Sequence, residues 1–228
     1  MQSATPSRVR RTSVDLVFDH LFQEINSLNL LPGTKISEAE IASQFDVSRQ
    51  PVRDAFSRLE NLELVVIRPQ RATEVRRFSS QAITKSRFIR ASIESEVLRR
   101  AAAAKNSDGL AELEKCLEVQ RTIVEKEDFD AFAEQDYAFH RALCRAAGVE
   151  FAFEVISEEK GKVDRLCVLS HSGSVDRLTE LLQDHEDITS HLKAGNGDKA
   201  VDAGMLHLSR LDGTIEKILH DHPDYFDS

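Results

Sequence analysis

This chain of 228 residues has three cysteines, Cys116, Cys144 and Cys167. They stand far apart and form no CxxC pair, so they read as reduced core residues of a cytosolic protein. There is no long apolar run and no signal peptide, so neither export nor membrane spanning is expected and a cytoplasmic location is. Internal repeats and low-complexity tracts are absent. A basic excess is missing too, since the formal net charge is −9. That charge is unevenly spread. Residues 1–78 hold 11 Lys/Arg against 10 Asp/Glu, and the remainder holds 19 against 29. From Ser79 onward strand signals also disappear. The length suits one large or two small domains, and a composition of 41% hydrophobic and 30% charged residues is ordinary for a soluble protein.

The most informative stretch is 37–54, SEAEIASQFDVSRQPVRD. Ser37 suits an N-cap, and Glu40 is placed three residues later to close a capping box. Ile41 and Phe45 share one face of a short helix. Asp46-Val47 makes a turn. Ser48 is expected to cap a second helix, with Pro51 in its first turn. Val52, Phe56 and Leu59 form that helix's buried stripe. Arg49, Gln50 and Arg53 fall off the stripe at its N-terminal end. That is the layout of a DNA-reading helix-turn-helix, in which arginine pairs with guanine and glutamine with adenine. The bland alternative is a surface helix with solvated arginines.

The flanks extend the pattern. Val14, Leu16, Val17, Leu21, Ile25 and Leu28 predict a preceding helix, and Leu31-Pro32-Gly33 a turn. Leu64–Ile67 and Thr73–Val75 read as two strands, with Arg68–Ala72 between them as a basic tip. The expectation is a winged helix-turn-helix whose tip touches phosphate or the minor groove. Residues 1–11 read as a flexible tail in which Arg8, Arg10 and Arg11 are near enough to graze phosphate.

On the run LLPGTKISEAEIASQFDVSRQPVRDAFSRLE and on VVIRPQRATEV, the chain resembles the GntR family of bacterial transcription regulators over about residues 10–78. The resemblance implies that Arg49, Gln50 and Arg53 contact DNA, with Ser48 at the helix start and Arg71 at the wing tip. The family usually has Gly where this chain has Ala72. Gly tolerates positive φ and Ala resists it, so the wing contact is less firmly implied than the helix contact.

Residues 79–228 read as an all-α antiparallel bundle of six or so amphipathic helices, at about 80–104, 108–126, 128–146, 149–170, 174–194 and 198–220. The breaks come at Asn106–Gly109, Asp128, Gly148, Ser172–Ser174 and Gly195–Asp198. Asp136 and His140 are four apart in DYAFH and share a helix face. His185 and His207 fall in the fifth and sixth helices. Together these four suit a divalent ion, Zn²⁺, Ni²⁺ or Mn²⁺, with positions left open for a ligand. The alternative is four ordinary hydrogen-bonded side chains. His171, His191, His220 and His222 have no comparable setting.

RASIE, DYAFHRAL and DHEDITSHLKAGNGDKAVDAGMLHLSRL resemble the FCD effector domain of the FadR-type branch of that family. The resemblance implies metal ligation by Asp136, His140, His185 and His207, with zinc foremost. It also implies a small carboxylate effector bound near Arg90 and, more weakly, Arg165. Arg90 alternatively forms a salt bridge to Glu94.

The implied architecture is mainly α, with a tail at 1–11, a winged helix-turn-helix at 12–78 and an effector-binding, dimerising bundle at 79–228. The implied protein is a homodimeric repressor of operator DNA, not an enzyme. Three other readings remain open at this point: a direct metal sensor, an architectural DNA binder with an inert bundle, and a metal-dependent enzyme.

Overall fold

The computed structural model describes residues 11–170 and 175–227, apart from the side chains of Cys167, Leu169, Ser170 and Val175. Arg8, Arg10, His171 and the Cys167 side chain therefore lie outside the described residues. The chain divides into two compact units, 1–78 with 222–228, and 79–221. The last seven residues thus group with the first unit and not with the bundle they follow in sequence.

In the first unit, helix α1 (Ser13–Asn26) opens with a reciprocal capping box between Thr12 and Asp15 and buries Val17, Leu21 and Ile25. Leu16, read from the sequence as part of that stripe, is exposed. Helix α2 (Glu38–Gln44) starts from Ser37, whose hydroxyl accepts from the Glu40 N–H at 3.4 Å. The reciprocal bond from the Glu40 side chain does not form, and Glu40 stays exposed. Asp46, at φ 50°, turns the chain into α3 (Arg49–Asn61). Ser48 stands at the N-cap with extended dihedrals but makes no side-chain capping bond. The reason is local: Pro51 occupies the third helical position and has no N–H to offer. Val52, Ala55, Phe56 and Leu59 form the buried face of α3 and join Val17, Leu21 and Ile25 in one core.

Strands β1 (Lys35–Ile36), β2 (Val65–Val66) and β3 (Thr73–Val75) form an antiparallel sheet in the order β1-β3-β2. Val65 pairs with Val75, and Ile36 with Thr73. β1 carries no sequence signal because two residues are too few to show alternation. Gln70, not Ala72, takes positive φ (58°) in the wing tip. Alanine at position 72 therefore meets no backbone penalty. The C-terminal residues 223–227 return to this unit. Phe226 bridges Phe78 in parallel, with the Phe78 N–H donating to the Tyr225 carbonyl at 2.8 Å and the Asp227 N–H to the Phe78 carbonyl at 2.8 Å.

The second unit is helical throughout: α4 (Ser80–Ala104), α5 (Ser107–Glu125), α6 (Phe129–Ala146), α7 (Ala152–Ser170), α8 (Val175–Lys193), α9 (Gly197–Ser209) and α10 (Asp212–Asp221). Side-chain caps at Ser79, Asn106, Asp128 and Asn196 set four of the starts. The sequence reading of one helix over 198–220 is corrected, because the chain breaks after α9. The Arg210 carbonyl accepts from Arg177 Nη2 at 2.7 Å, and its guanidinium is held by Asp184. Helix α10 then restarts with Ile215 donating to the Leu211 carbonyl.

Helix α4 packs against α7 and α9, α5 against α6 and α8, and α8 against α9. Gly204 makes the α4–α9 approach possible, since a Cβ there would lie 2.4 Å from Leu98 Cδ1. The core runs through Leu98, Leu113, Phe139, Ile156, Ile188 and Leu192.

Candidate metal centre and DNA-reading face

The candidate reading face of the first unit is the N-terminal end of α3. Ser48, Arg49, Gln50 and Arg53 are all exposed there. Gln50 Nε2 donates to Asp54 Oδ1 at 2.8 Å, and Arg53 Nε donates to Glu38 Oε2 at 2.9 Å. Both side chains are thus held in place by acceptors that a nucleic acid would replace. Arg71 is exposed in the wing tip, which is tied back to α3 where Glu60 accepts from the Ile67 N–H at 2.9 Å.

In the bundle, α6 presents Asp136 and His140 one turn apart, α8 presents His185 and α9 presents His207. All four are buried, and one ligand atom from each lies within 4.8 Å of the others. Asp136 Oδ1 is 3.3 Å from His185 Nε2 and 3.8 Å from His140 Nε2. Phe139 stacks on His185 with ring centroids 4.0 Å apart and fixes its plane.

Each imidazole has an acceptor group near Nδ1, and that of His185 is hydrogen-bonded. Glu94 Oε2 lies 2.8 Å from His140 Nδ1, Gln120 Oε1 lies 2.9 Å from His185 Nδ1, and Asp184 Oδ2 lies 3.6 Å from His207 Nδ1. These acceptors are themselves anchored, Glu94 by Arg90, Asp184 by Arg210, and Gln120 by its bond to the Gln135 carbonyl. At His185 the acceptor on Nδ1 leaves the Nε2 lone pair for the centre of the cluster, the arrangement that metal-binding histidines use.

Burial pushes the His185 imidazole down to about 4, so it is neutral and able to donate its lone pair at neutral pH. Burial works against the charge on Glu94, but His140 and Arg90 outweigh it and hold that carboxyl at about 2. Burial likewise opposes ionisation of Asp136, and Lys160 with the two histidines holds it well below the usual carboxylate range. Three imidazoles and one carboxylate converging on one point fit a borderline divalent metal.

A cavity of about 420 Å³ opens beside the cluster. Asp136 and His207 line it, and so do Arg90, Lys160 and Arg210. Its other walls are largely apolar, built by Phe129, Phe132, Val163, Leu181, Met205 and Leu208. Arg90 lies in this wall and at the same time makes the salt bridge to Glu94, at 2.9 Å, that the sequence offered as its alternative role. Arg165 is buried but is not among the lining residues, and burial lowers its guanidinium to about 10.

Sequence reasoning brought together the four cluster residues and missed much of what supports them. Asp184 precedes His185 directly in DHED and was within reach of a closer reading. Gln120 and Lys160 carry no local signal, because each is one polar residue on a charged helix. Among the described residues, no helix is long and apolar enough to cross a membrane.

A winged helix-turn-helix carried on one chain with a helical bundle is the architecture of a DNA-binding transcription regulator. The chain belongs to the gntR family of bacterial regulatory proteins, whose model matches residues 14–75, and it carries an FCD domain at residues 87–210. It is 35% identical over 210 residues to the HTH-type transcriptional repressor RspR of Escherichia coli (strain K12), covering 92% of each chain. It is 26% identical over 190 residues to the gluconate operon transcriptional repressor of Bacillus subtilis (strain 168), covering 82% of this chain and 76% of that one. Among solved structures, E. coli McbR/YncC shares the fold with a TM-score of 0.67 at 19% identity, over 91% of this chain and 99% of that one. The relatives are transcription regulators rather than enzymes.

Proposed function

We propose that this regulator is a homodimeric repressor, released from its operator by a small carboxylate that binds beside a divalent ion in the bundle. The observation that carries this reading is the convergence of Asp136, His140, His185 and His207 within 4.8 Å, next to a cavity lined by Arg90. These four would hold the ion, with zinc foremost and nickel or manganese as the other fits to this donor set. The bound ion would supply a positive centre able to take a carboxylate oxygen from the cavity side. Arg90 would pair with the same carboxylate, and the apolar wall would accept the effector's body. Two relatives named as repressors support the sign of the response.

On DNA, Arg49, Gln50 and Arg53 would read base edges, while Ser48 and Arg71 contact phosphate. A two-fold dimer would match a palindromic site. The effector would change operator affinity through its unequal affinity for the bound and released states, typically by about 1–3 kcal/mol. A cavity of this size favours an organic effector over sensing of the ion alone.

Elemental analysis of untagged protein purified without chelator, beside Asp136→Ala, tests the metal reading. About one equivalent of zinc, nickel or manganese per chain, lost in the variant, is the expected result. Absence of metal after incubation with each ion refutes it.

A further inference from the structure

The Asp136 carboxylate is shared between two kinds of partner. Its Oδ1 faces His140 and His185, while its Oδ2 lies 3.2 Å from Lys160 Nζ. Lys160 stands on α7, outside the ligand set, yet it is buried and lines the cavity. A buried ammonium against one oxygen of a candidate metal ligand supplies the positive charge that an ion would otherwise bring.

Lys160 holds a second seat at the same time. Asp164, one turn along the same helix, lies 2.8 Å from Nζ, and the face of Tyr137 lies 4.1 Å away. The Tyr137 hydroxyl donates to the other Asp164 oxygen and fixes that carboxylate in position. The ammonium is therefore able to give up Asp136 while remaining paired and desolvated on the cavity wall.

We propose that Lys160 is a tethered ammonium that competes with the divalent ion for Asp136 and, once it gives up Asp136 and keeps only Asp164 and Tyr137, offers its charge to an anion in the cavity. This rests on the reading of the four-residue cluster as a metal site. In the ion-free bundle Lys160 neutralises Asp136. Two cations on one buried carboxylate repel each other, so ion binding loosens Lys160 from Asp136 and leaves it on its second seat alone. The ion's affinity is thereby set below that of the bare ligand set. Ion and anion then strengthen each other's binding, because each favours the same position of the lysine.

The test is the Zn²⁺ affinity of the full chain, measured by competition with a chromophoric chelator. Wild type is compared with Lys160→Met and Asp164→Asn. Removing the competitor is expected to tighten Zn²⁺ binding by about tenfold or more. Removing the second seat is expected to weaken it several-fold, because Lys160 then stays on Asp136. A merely structural role for this cluster would weaken binding in both variants. Wild-type chain that takes up no Zn²⁺ refutes the metal reading and this inference together. Zn²⁺ bound by wild type but no tighter by folded Lys160→Met refutes the competition alone. Should Lys160→Met fail to fold, Lys160→Gln takes its place, and Zn²⁺ binding no tighter than wild type there overturns the proposal.

Discussion

Arg49 is exposed at the first turn of α3 and has no anchor comparable to those of its neighbours, Gln50 on Asp54 and Arg53 on Glu38. It is thus the residue whose loss disturbs the free protein least while testing the proposed base contact. Arg49→Ala is expected to weaken operator binding by about 1–3 kcal/mol and to relax base preference, as read by gel-shift titration on the operator and on single-base variants. Unchanged affinity and selectivity would contradict the reading role. In the bundle, the corresponding single-residue test is Gln120, which touches no ligand atom of the centre except through His185 Nδ1. Gln120→Leu keeps the volume roughly constant and frees the imidazole. Metal affinity should fall by about 10–100-fold with little change in helix content. A variant with wild-type metal affinity would show that stacking on Phe139 alone suffices to orientate His185.

At the scale of elements, short-range chemistry explains most starts and stops. Pro51 removes the N–H that Ser48 would have capped, so α3 begins without a side-chain bond and leaves that hydroxyl available to a partner. The break between α9 and α10 has a different origin. Gly213 in the first turn of α10 is a weak local mark, and Arg177, 33 residues away, takes the Arg210 carbonyl. The C-terminal segment is the other element set by distant contacts. Phe226 is buried against Phe78, with ring centroids 5.6 Å apart, and Arg77 Nε donates to the Asp224 carbonyl at 3.0 Å. Phe226→Ala should destabilise the winged-helix unit by about 3 kcal/mol. Hydrogen exchange should report this as faster exchange at the Val65 and Val75 amides, with protection in α5 retained. Equal loss in both units, or none in either, would mean that the tail does not stabilise that unit selectively.

For the whole molecule, charge is divided between a near-neutral reading unit and a strongly acidic remainder. That division keeps counterion release local to the reading face. The bundle's buried polar centre also makes its stability depend on pH. The unfolded chain protonates the His185 imidazole near 6.5, whereas the folded ion-free bundle does so only near 4. Between those values the unfolded state binds more protons. The contribution of His185 is therefore complete above pH 6.5 and declines as the pH falls toward 4. Glu94 and Asp136, both depressed in the folded state, extend the loss as the pH falls further. Chelator-treated protein should show a lower urea midpoint at pH 5 than at pH 7.5 by circular dichroism. A midpoint that rises on acidification would overturn the view of His185 as buried and neutral.

Periodicity, caps and turn residues act over a few positions, and the sequence alone determined what depends on them. It fixed the helix-turn-helix with its buried Val52, Phe56 and Leu59, the two wing strands, most bundle helices, and the shared face of Asp136 and His140. The tertiary structure decided what depends on residues remote along the chain. It brought His185 and His207 onto the α6 pair, set Gln120 behind a histidine 65 positions away, placed Lys160 on Asp136, split the last long helix, added β1 to the sheet and docked Phe226 on Phe78. The difference is physical. Local hydrogen bonds leave a pattern within one turn of chain, whereas a single buried pairing between distant elements leaves no pattern near either partner.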